Sequence, residues 1–330
     1  MLNVAIVGLG RWGQRLVDSV TAPKSAKLRF THAVARTPDK VRAYCEERGI
    51  PLGSDFARVL DDPSVAAVAL ATPHSQHADQ VIAAARAGKH VFVEKPLALD
   101  AASARAMARA CRERGVVLAP GQNRRFLPAV AEIKRMVAAG ELGTILHLEG
   151  NFTISSGLRY DSSNWRANQV ESPGGGMTGQ GIHVLDGFIH IAGAVSSVRC
   201  ESERRVVKVD MDDTTSLFAR FAGGATAYLS TITATRKMYR MQVFGTGGWA
   251  HLLSERVLET CEADGKVKRV EFPEVDIERA ELEAFADAVA GTASYPVPVE
   301  EVIHGIAVFE AAMRSAKSGG ERIAVESAAP

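Results

Sequence analysis

The chain has 330 residues, of which 46% are hydrophobic, and its 39 basic and 38 acidic side chains leave a net charge of +1. This length predicts two domains, and the near-zero charge without basic blocks argues against a nucleic-acid or membrane-surface partner. The four cysteines are widely spaced with no C-x-x-C pair, so no zinc or redox motif is predicted. No apolar run spans a bilayer and no signal-peptide pattern precedes the first strand, which predicts a cytoplasmic protein.

The first predicted strand, Leu2 to Val7, leads directly into a glycine motif. Gly8, Gly10 and Gly13 have the spacing G-x-G-x-x-G, and helix-forming residues follow. In this spacing the first glycine allows a tight turn, the second lets the backbone approach a pyrophosphate, and the third lets the helix pack close to the sheet. A strand before the motif and a helix after it are the context in which it binds a dinucleotide. The predicted contacts are Gly8, Gly10, Arg11, Trp12 and Gly13, and the alternative is an ordinary glycine-rich turn.

Short apolar runs alternate with helical patterns through residue 121. The predicted strands are Leu28 to Ala35, Val65 to Ala71, Val91 to Val93 and Val116 to Ala119. The predicted helices are Pro38 to Arg48, Ala78 to Ala87, and one capped by Asp100 that runs to Arg114. This alternation is typical of a doubly wound parallel sheet, so residues 1–121 are predicted to form a Rossmann domain of the α/β class.

Residues 122–330 have a different pattern, with longer strands joined by tight turns. A helix is predicted over Pro128 to Ala139 and a long strand over Ile145 to Ile154. Hairpins are predicted over Thr214 to Ala234 and Tyr239 to Leu253, and amphipathic helices over Glu281 to Ala290 and Glu300 to Ser315. Long hairpins indicate a mixed or mostly antiparallel sheet, which can leave one face available for a partner subunit. We therefore predict a second α/β domain for substrate binding and oligomerisation.

The residues after the second predicted strand bear on the choice of nicotinamide cofactor. An NAD site usually has a carboxylate here, but the chain has Ala35, Arg36 and Thr37. Arg36 offers a guanidinium suited to the 2′-phosphate of NADP, and Thr37 adds a hydroxyl. NADP is therefore favoured over NAD. The alternative is that Arg36 is a solvated surface residue.

Two motifs, A-T-P-H-S-Q-H at 71–77 and A-G-K-H-V-F-V-E-K-P at 87–96, resemble the Gfo/Idh/MocA oxidoreductases, a family that includes glucose–fructose oxidoreductase and inositol dehydrogenases. The resemblance covers essentially the whole chain and implies a Rossmann domain followed by a domain with a large open sheet. It implies that Lys95 lies beside the nicotinamide and takes part in catalysis, with Glu94 shaping the turn. It also places Thr72 and Pro73 along the cofactor. The full set of cofactor contacts that the resemblance implies in these two motifs is Thr72, Pro73, His77, Glu94 and Lys95. His77 could equally pack against or cap the next helix.

The second catalytic segment of the family often has the pattern D-x-G-x-H. Here the histidine is kept as His183, but the position of the aspartate is Gly179. An imidazole titrates near neutral pH, so His183 is the predicted general acid/base, with a packed histidine as the alternative. Asp186 follows by three residues and could orient the ring. The pattern His183, Asp186 and His190 hints at a metal site, but no metal is predicted because the family chemistry needs none.

Two further segments are predicted to contact substrate. Asn123 and Arg124 follow the last Rossmann strand, at the family's entrance to the second domain. Trp165 and Arg166 offer an aromatic face and a cation suited to a polyhydroxylated ring. Each could instead be structural.

The sequence therefore predicts an NADP-dependent oxidoreductase that moves a hydride between nicotinamide and a secondary alcohol or ketone of a sugar-like or cyclic polyol. Lys95 would hydrogen-bond the reacting oxygen and His183 would exchange its proton. One alternative is a dihydrodiol or imine-type reductase acting on a non-sugar ring, or on an acidic one held by Arg124, Arg125 and Arg166. Another is a catalytically silent nucleotide-binding regulator. The family resemblance also implies a homodimer or homotetramer.

Overall fold

The computed structural model describes residues 1–21 and 23–326, and the chain divides into two compact units. The first comprises Met1–Asn123 and Asp276–Val299, and the second comprises Arg124–Val275 and Glu300–Pro330. Within the described residues, no helix is both long enough and apolar enough to cross a membrane.

The secondary structure follows the alternation read from the sequence. The strands are β1 Leu2–Val7, β2 Leu28–Val34, β3 Leu52–Gly53, β4 Ala67–Leu70, β5 His90–Glu94, β6 Leu118–Gly121, β7 Ile145–Thr153, β8 Val195–Glu203, β9 Thr214–Phe221, β10 Thr226–Ile232, β11 Met238–Gly245, β12 Gly248–Leu252, β13 Val257–Glu262, β14 Val267–Glu271 and β15 Ile323–Ala324. The helices are α1 Arg11–Val20, α2 Arg42–Arg48, α3 Phe56–Asp61, α4 His77–Arg86, α5 Ala101–Arg114, α6 Pro128–Ala138, α7 Ile182–Ala192, α8 Ile277–Ala290 and α9 Val299–Lys317.

The first unit is a parallel sheet in the order β3-β2-β1-β4-β5-β6, which confirms the predicted Rossmann fold. Strand β4 is fully buried, as its unbroken apolar sequence predicts for a strand covered on both faces. Asp100 caps α5 as predicted, because its Oδ1 accepts the backbone N–H of Ser103 at 2.7 Å. The helix predicted from Pro38 is interrupted: one 3-10 turn covers Pro38–Lys40, and α2 begins only at Arg42.

Helix α8 belongs to the first unit, which differs from the predicted division into 1–121 and 122–330. Its apolar residues Leu282 and Phe285 are fully buried in the Rossmann core. Phe285 packs on Phe92 of β5 with ring centroids 6.1 Å apart. After completing most of the second sheet, the chain therefore returns to the first unit, where the apolar face of α8 is buried.

The second unit is built on a nine-stranded sheet in the order β14-β13-β12-β11-β7-β10-β9-β8-β15. Strands β7 and β10 are parallel, and every other neighbouring pair is antiparallel. The predicted large and mostly antiparallel sheet is therefore confirmed, including the hairpins β9–β10 and β11–β12. Helix α7 packs closely on β7, since a Cβ at Gly150 would lie 2.3 Å from Cγ1 of Val184.

Candidate active site

The glycine turn after β1 has the geometry of a phosphate-binding loop. Gly8 has a φ of +90°, and a Cβ there would lie 2.6 Å from the carbonyl oxygen of Ala71. A Cβ at Gly13 would lie 2.1 Å from the Gly8 oxygen, so backbone packing requires both glycines. Gly10 differs, because no atom lies within 4 Å of where its Cβ would be. The open space is at the start of α1, where backbone N–H groups and the helix dipole favour an anion.

Arg36 and Thr37 are exposed just beyond the end of β2. Within residues 1–21 and 23–326, Arg36 makes no ion pair. The nearby carboxylate Asp39 is instead 2.6 Å from Arg42. The end of this strand therefore presents an unpaired guanidinium where an NAD site ordinarily has an acidic side chain.

His77 ties together the two loops that carry the predicted cofactor contacts. Its Nδ1 lies 2.9 Å from the carbonyl oxygen of Pro96, and its Nε2 lies 3.2 Å from that of Thr72. The ring is fully buried, so His77 lies between the loops and holds them together. The Thr72–Pro73 loop and the Lys95–Pro96 turn, whose peptide bond is cis, are thereby placed side by side at the carboxyl ends of β4 and β5.

Glu94 lies at the end of β5, buried to 6% exposure, and its Oε2 accepts the backbone N–H of Lys95 at 3.2 Å. Burial raises the pKa of Glu94 from 4.5 to about 7, against the charge of Lys95 and the indole of Trp12, which lower it. The charge of Glu278 adds to the increase. Glu94 is therefore a buried, partly protonated neighbour of Lys95.

Asn123, predicted to contact substrate, is held inside the first unit. Its Nδ2 donates to Oε1 of Glu278 on α8 at 3.0 Å, and it is 3% exposed. The other oxygen of Glu278 accepts from Arg15 of α1 at 2.6 Å. Sequence spacing does not reveal Glu278 as a partner, because 155 residues separate it from Asn123.

His183 lies in the second unit, in the first turn of α7, directly after a π-helical turn over Met177–Gly181. It is 6% exposed, and its ring centroid is 6.0 Å from that of Phe152 on β7. Phe152 in turn meets Tyr239 of β11 edge-on at 5.2 Å. Gly179, at the family's aspartate position, has no atom within 4 Å of where its Cβ would be. The sequence departure therefore leaves open space one helical turn before His183.

Arg124, also predicted to contact substrate, covers these aromatic rings. Its guanidinium carbon lies 5.4 Å from the centroid of Phe152 and 5.0 Å from that of Tyr239. Its Nη1 is 2.6 Å from Oε1 of Glu255. Burial raises the pKa of Tyr239 to about 12 against the opposing charge of Arg124, so the phenol stays neutral. This aromatic and cationic cluster is a local feature of the second unit that sequence spacing did not reveal.

Asp186 pairs with Arg125 in a buried ion cluster. Nε and Nη2 of Arg125 donate to the two oxygens of Asp186 at 2.8 and 2.7 Å, while Nη1 lies 2.5 Å from Glu301 and 3.3 Å from His190. Although burial opposes it, His190 and Arg125 lower the pKa of Glu301 to about 2. Asp186 therefore has a partner that the helical spacing did not predict. One expectation is corrected: Arg125 is engaged by Asp186 and Glu301 and is not available to hold an acidic substrate.

The remaining predicted substrate residues form a pair of their own. The guanidinium carbon of Arg166 lies 3.9 Å from the ring centroid of Trp165, and Asn164 accepts the backbone N–H of Arg166 at 3.0 Å. Both side chains are half-buried in the second unit. Among the described residues, no group of three or more His, Cys, Asp or Glu side chains is arranged to hold a metal ion.

Comparison with known sequences decides the family. The family model described as an oxidoreductase family with an NAD-binding Rossmann fold matches residues 2–122, and the GFO/IDH/MocA C-terminal domain matches residues 130–251. The chain belongs to the Gfo/Idh/MocA oxidoreductase family. The resemblance inferred from the motifs at 71–77 and 87–96 is thereby confirmed.

Relatives within the family differ in what they act on. The chain is 37% identical over 197 residues to scyllo-inositol 2-dehydrogenase (NAD(+)) of Bacillus subtilis, an alignment that spans 58% of this chain and 54% of that enzyme. It is 25% identical over 273 residues to mouse trans-1,2-dihydrobenzene-1,2-diol dehydrogenase, spanning 82% and 80%. A crystal structure from Desulfitobacterium hafniense, provisionally assigned as an NADPH-dependent oxidoreductase, superposes with a TM-score of 0.89 at 27% identity over 98% and 97% of the two chains.

The two glycines of the fingerprint should respond differently to an added methyl group. We expect Gly13→Ala to lower the free energy of unfolding by about 1–3 kcal/mol, since its Cβ would clash with backbone. Gly10→Ala should fold as the wild type but bind reduced nicotinamide cofactor at least tenfold more weakly, by about 1.4 kcal/mol, because the methyl group fills the phosphate space. Urea unfolding and cofactor fluorescence titration measure the two effects. Wild-type affinity in Gly10→Ala would place the phosphates elsewhere.

Glu94→Gln should stabilise the protein in a pH-dependent manner. The folded state prefers protonated Glu94, so its contribution to stability is complete below pH 4.5 and is lost as pH rises through about 7. The Tm difference between Glu94→Gln and wild type should therefore grow by roughly 2–6 °C from pH 5 to pH 8. The exposed Glu113→Gln on α5 serves as the control. A difference that stays constant with pH would contradict the protonated state of Glu94.

Proposed function

We propose that the chain is an NAD(P)-dependent dehydrogenase or reductase that acts on a secondary alcohol or ketone of a sugar-like or cyclic polyol. The observation that carries the proposal is the placement of Lys95 at the carboxyl end of β5, in the same unit as the open glycine turn at Gly10. Ligands of parallel α/β sheets bind at this edge. The inositol dehydrogenase relative supports the substrate class.

The chemistry divides between the cofactor and the chain. A bound nicotinamide supplies the hydride acceptor or donor. Lys95 is partly exposed, so its ammonium group can donate a hydrogen bond to the reacting oxygen and stabilise the negative charge that develops there. His183 takes the hydroxyl proton during oxidation and returns it during reduction. When an alcohol is oxidised, the hydrogen of its C–H bond would leave with the electron pair to a bound nicotinamide, the O–H proton would pass to the imidazole, and the C–O bond would become a carbonyl.

NADP is the cofactor that the chain's own residues favour. Arg36 is exposed and unpaired within the described residues, and Ala35 provides no carboxylate to repel a 2′-phosphate. The relatives do not decide between the two cofactors, because one is named for NAD(+) and another is provisionally assigned to NADPH. We therefore propose NADP as the preferred cofactor, with NAD as the alternative.

A second candidate substrate is a non-sugar ring diol. The aromatic ring of Phe152 beside His183 favours a flat or apolar ring, and the dihydrodiol dehydrogenase relative is named for such a compound. A catalytically silent nucleotide-binding protein is the alternative from another class, kept open by the missing carboxylate at Gly179. Replacement of Lys95 distinguishes it from an enzyme.

We also propose a homodimer or homotetramer. Tyr228 and Phe218 are directly opposite one another on β10 and β9, and each is 40% exposed. Half-exposed aromatic pairs on an open sheet face are suited to contact with a second copy of the chain.

Lys95→Met should lose turnover while it keeps cofactor binding. We expect kcat to fall by about 10²–10⁴-fold, because the hydrogen bond to the reacting oxygen is removed. The assay follows nicotinamide absorbance with cyclic polyols, anhydro sugars and an aromatic dihydrodiol, and fluorescence titration gives the cofactor Kd. Arg109→Ala on the exposed face of α5 is the control. Undiminished turnover in Lys95→Met would exclude the proposed mechanism.

The cofactor preference should depend on Arg36. We expect the wild type to bind NADPH at least tenfold more tightly than NADH, and Arg36→Ala to lose about tenfold in NADPH affinity, close to 1.4 kcal/mol, with little change for NADH. Fluorescence titrations with both cofactors measure this, again with Arg109→Ala as the matched arginine control. If NADH binds as tightly as NADPH to the wild type, Arg36 is a surface residue and NAD is the cofactor.

A further inference from the structure

Asp186 occupies a position from which it would ordinarily control His183. The two residues are three apart on α7, a spacing that places side chains on neighbouring parts of one helix face. Both are buried, with Asp186 4% and His183 6% exposed. A carboxylate within one turn of a buried imidazole favours the protonated imidazolium and therefore weakens the ring as a base at neutral pH.

Arg125 neutralises this carboxylate. Its guanidinium makes two parallel hydrogen bonds to Asp186, and its side chain is only 3% exposed. Bidentate geometry of this kind is the strongest arginine–carboxylate arrangement, and burial excludes the water that would screen it. The positive charge is therefore fixed on the same carboxylate that lies one turn from His183.

Other charged groups lie along α7. Toward its last turn, Glu301 of α9 pairs with Arg125, and Nζ of Lys134 on α6 donates to the carbonyl oxygen of His190 at 2.5 Å. Toward its first turn, Arg124 lies over Phe152, the ring beside His183, and Glu255 pairs with both Arg124 and the exposed Lys237. The carboxylates Asp186, Glu255 and Glu301 therefore each have a cation partner, and Arg125 is the partner of two of them.

We propose that Arg125 is a positioning residue that masks the charge of Asp186, so that His183 remains a neutral proton acceptor near physiological pH. The inference rests on the proposed function, in which His183 exchanges the substrate proton. The same ion pair anchors α7 one turn beyond His183. Loss of anchoring alone would not change the pH at which the His183 ring titrates, whereas loss of charge masking would change it. A titration of His183 therefore distinguishes the two roles.

The two partners of the pair should shift the His183 titration in opposite directions. Arg125→Met leaves the Asp186 carboxylate unmasked, so His183 should keep its proton to a pH higher by about half to one unit. Asp186→Asn leaves the cation in place and should shift the titration to lower pH. The double variant Arg125→Met/Asp186→Asn removes both charges and should return it to near the wild-type value.

The test is an NMR titration of the histidine rings in the full-length protein, with His183→Gln used to assign the signal among the nine histidines. Arg135→Met, which breaks an exposed ion pair of α6 with Glu132 and Glu141, is the matched control and should leave the titration unchanged. Opposite shifts in the single variants, reversed in the double variant, support the inference. If Arg125→Met does not fold, the comparison of wild type, Asp186→Asn and the double variant decides. Coincident titrations in the variants that fold would overturn it.

The pH profile of kcat/KM separates this inference from the proposed function. If both hold, the limb that reports His183 moves with the NMR titration in each variant. If the NMR titration shifts but the kinetic limb does not follow, Arg125 masks Asp186 and His183 is not the group that exchanges the substrate proton.

Discussion

Close backbone contact at the glycine turn is the constraint on which the first unit depends. Gly13 has no room for a side chain because its Cβ would lie 2.1 Å from the Gly8 oxygen, and Gly8 in turn lies against Ala71 at the end of β4. His77 then links the loop after β4 to the turn that carries Lys95. Contacts therefore connect the nucleotide turn to the loop after β4, and that loop to the turn that carries Lys95, the proposed catalytic residue. These contacts restrict the positions that each segment can adopt.

In the second unit, buried ion pairs are the main constraint near the candidate site. Two cations near its candidate base are buried or half-buried and paired with carboxylates, Arg125 with Asp186 and Arg124 with Glu255. Breaking a buried pair leaves an uncompensated charge and destabilises a protein by about 3–5 kcal/mol. Two residues of one short segment are thus held in different ways: Asn123 by Glu278 within the first unit, and Arg125 by Asp186 within the second.

Local pattern was enough to predict most of the architecture. The glycine spacing, the apolar run of β4 and the Asp100 cap depend on residues close together in the chain, and the structure confirms them. The return of α8 to the first sheet could not be predicted, because an amphipathic helix does not reveal which core covers its apolar face. The partners of Asn123 and Arg125 were missed for the same reason, since they lie 155 and 61 residues away. Spacing on one helix suggested that Asp186 serves His183, but a distant arginine provides the better partner for its charge.

The most direct test of this account is to follow deuterium from substrate carbon to cofactor. The protein would be incubated with oxidised nicotinamide cofactor and a cyclic polyol deuterated at its ring carbons, and the recovered cofactor examined by NMR at nicotinamide C4. We expect reduced cofactor that carries one deuterium at C4, as hydride transfer from a secondary alcohol requires. Tight cofactor binding without deuterium transfer from any polyol or ring diol would contradict the account and indicate a nucleotide-binding protein without dehydrogenase activity.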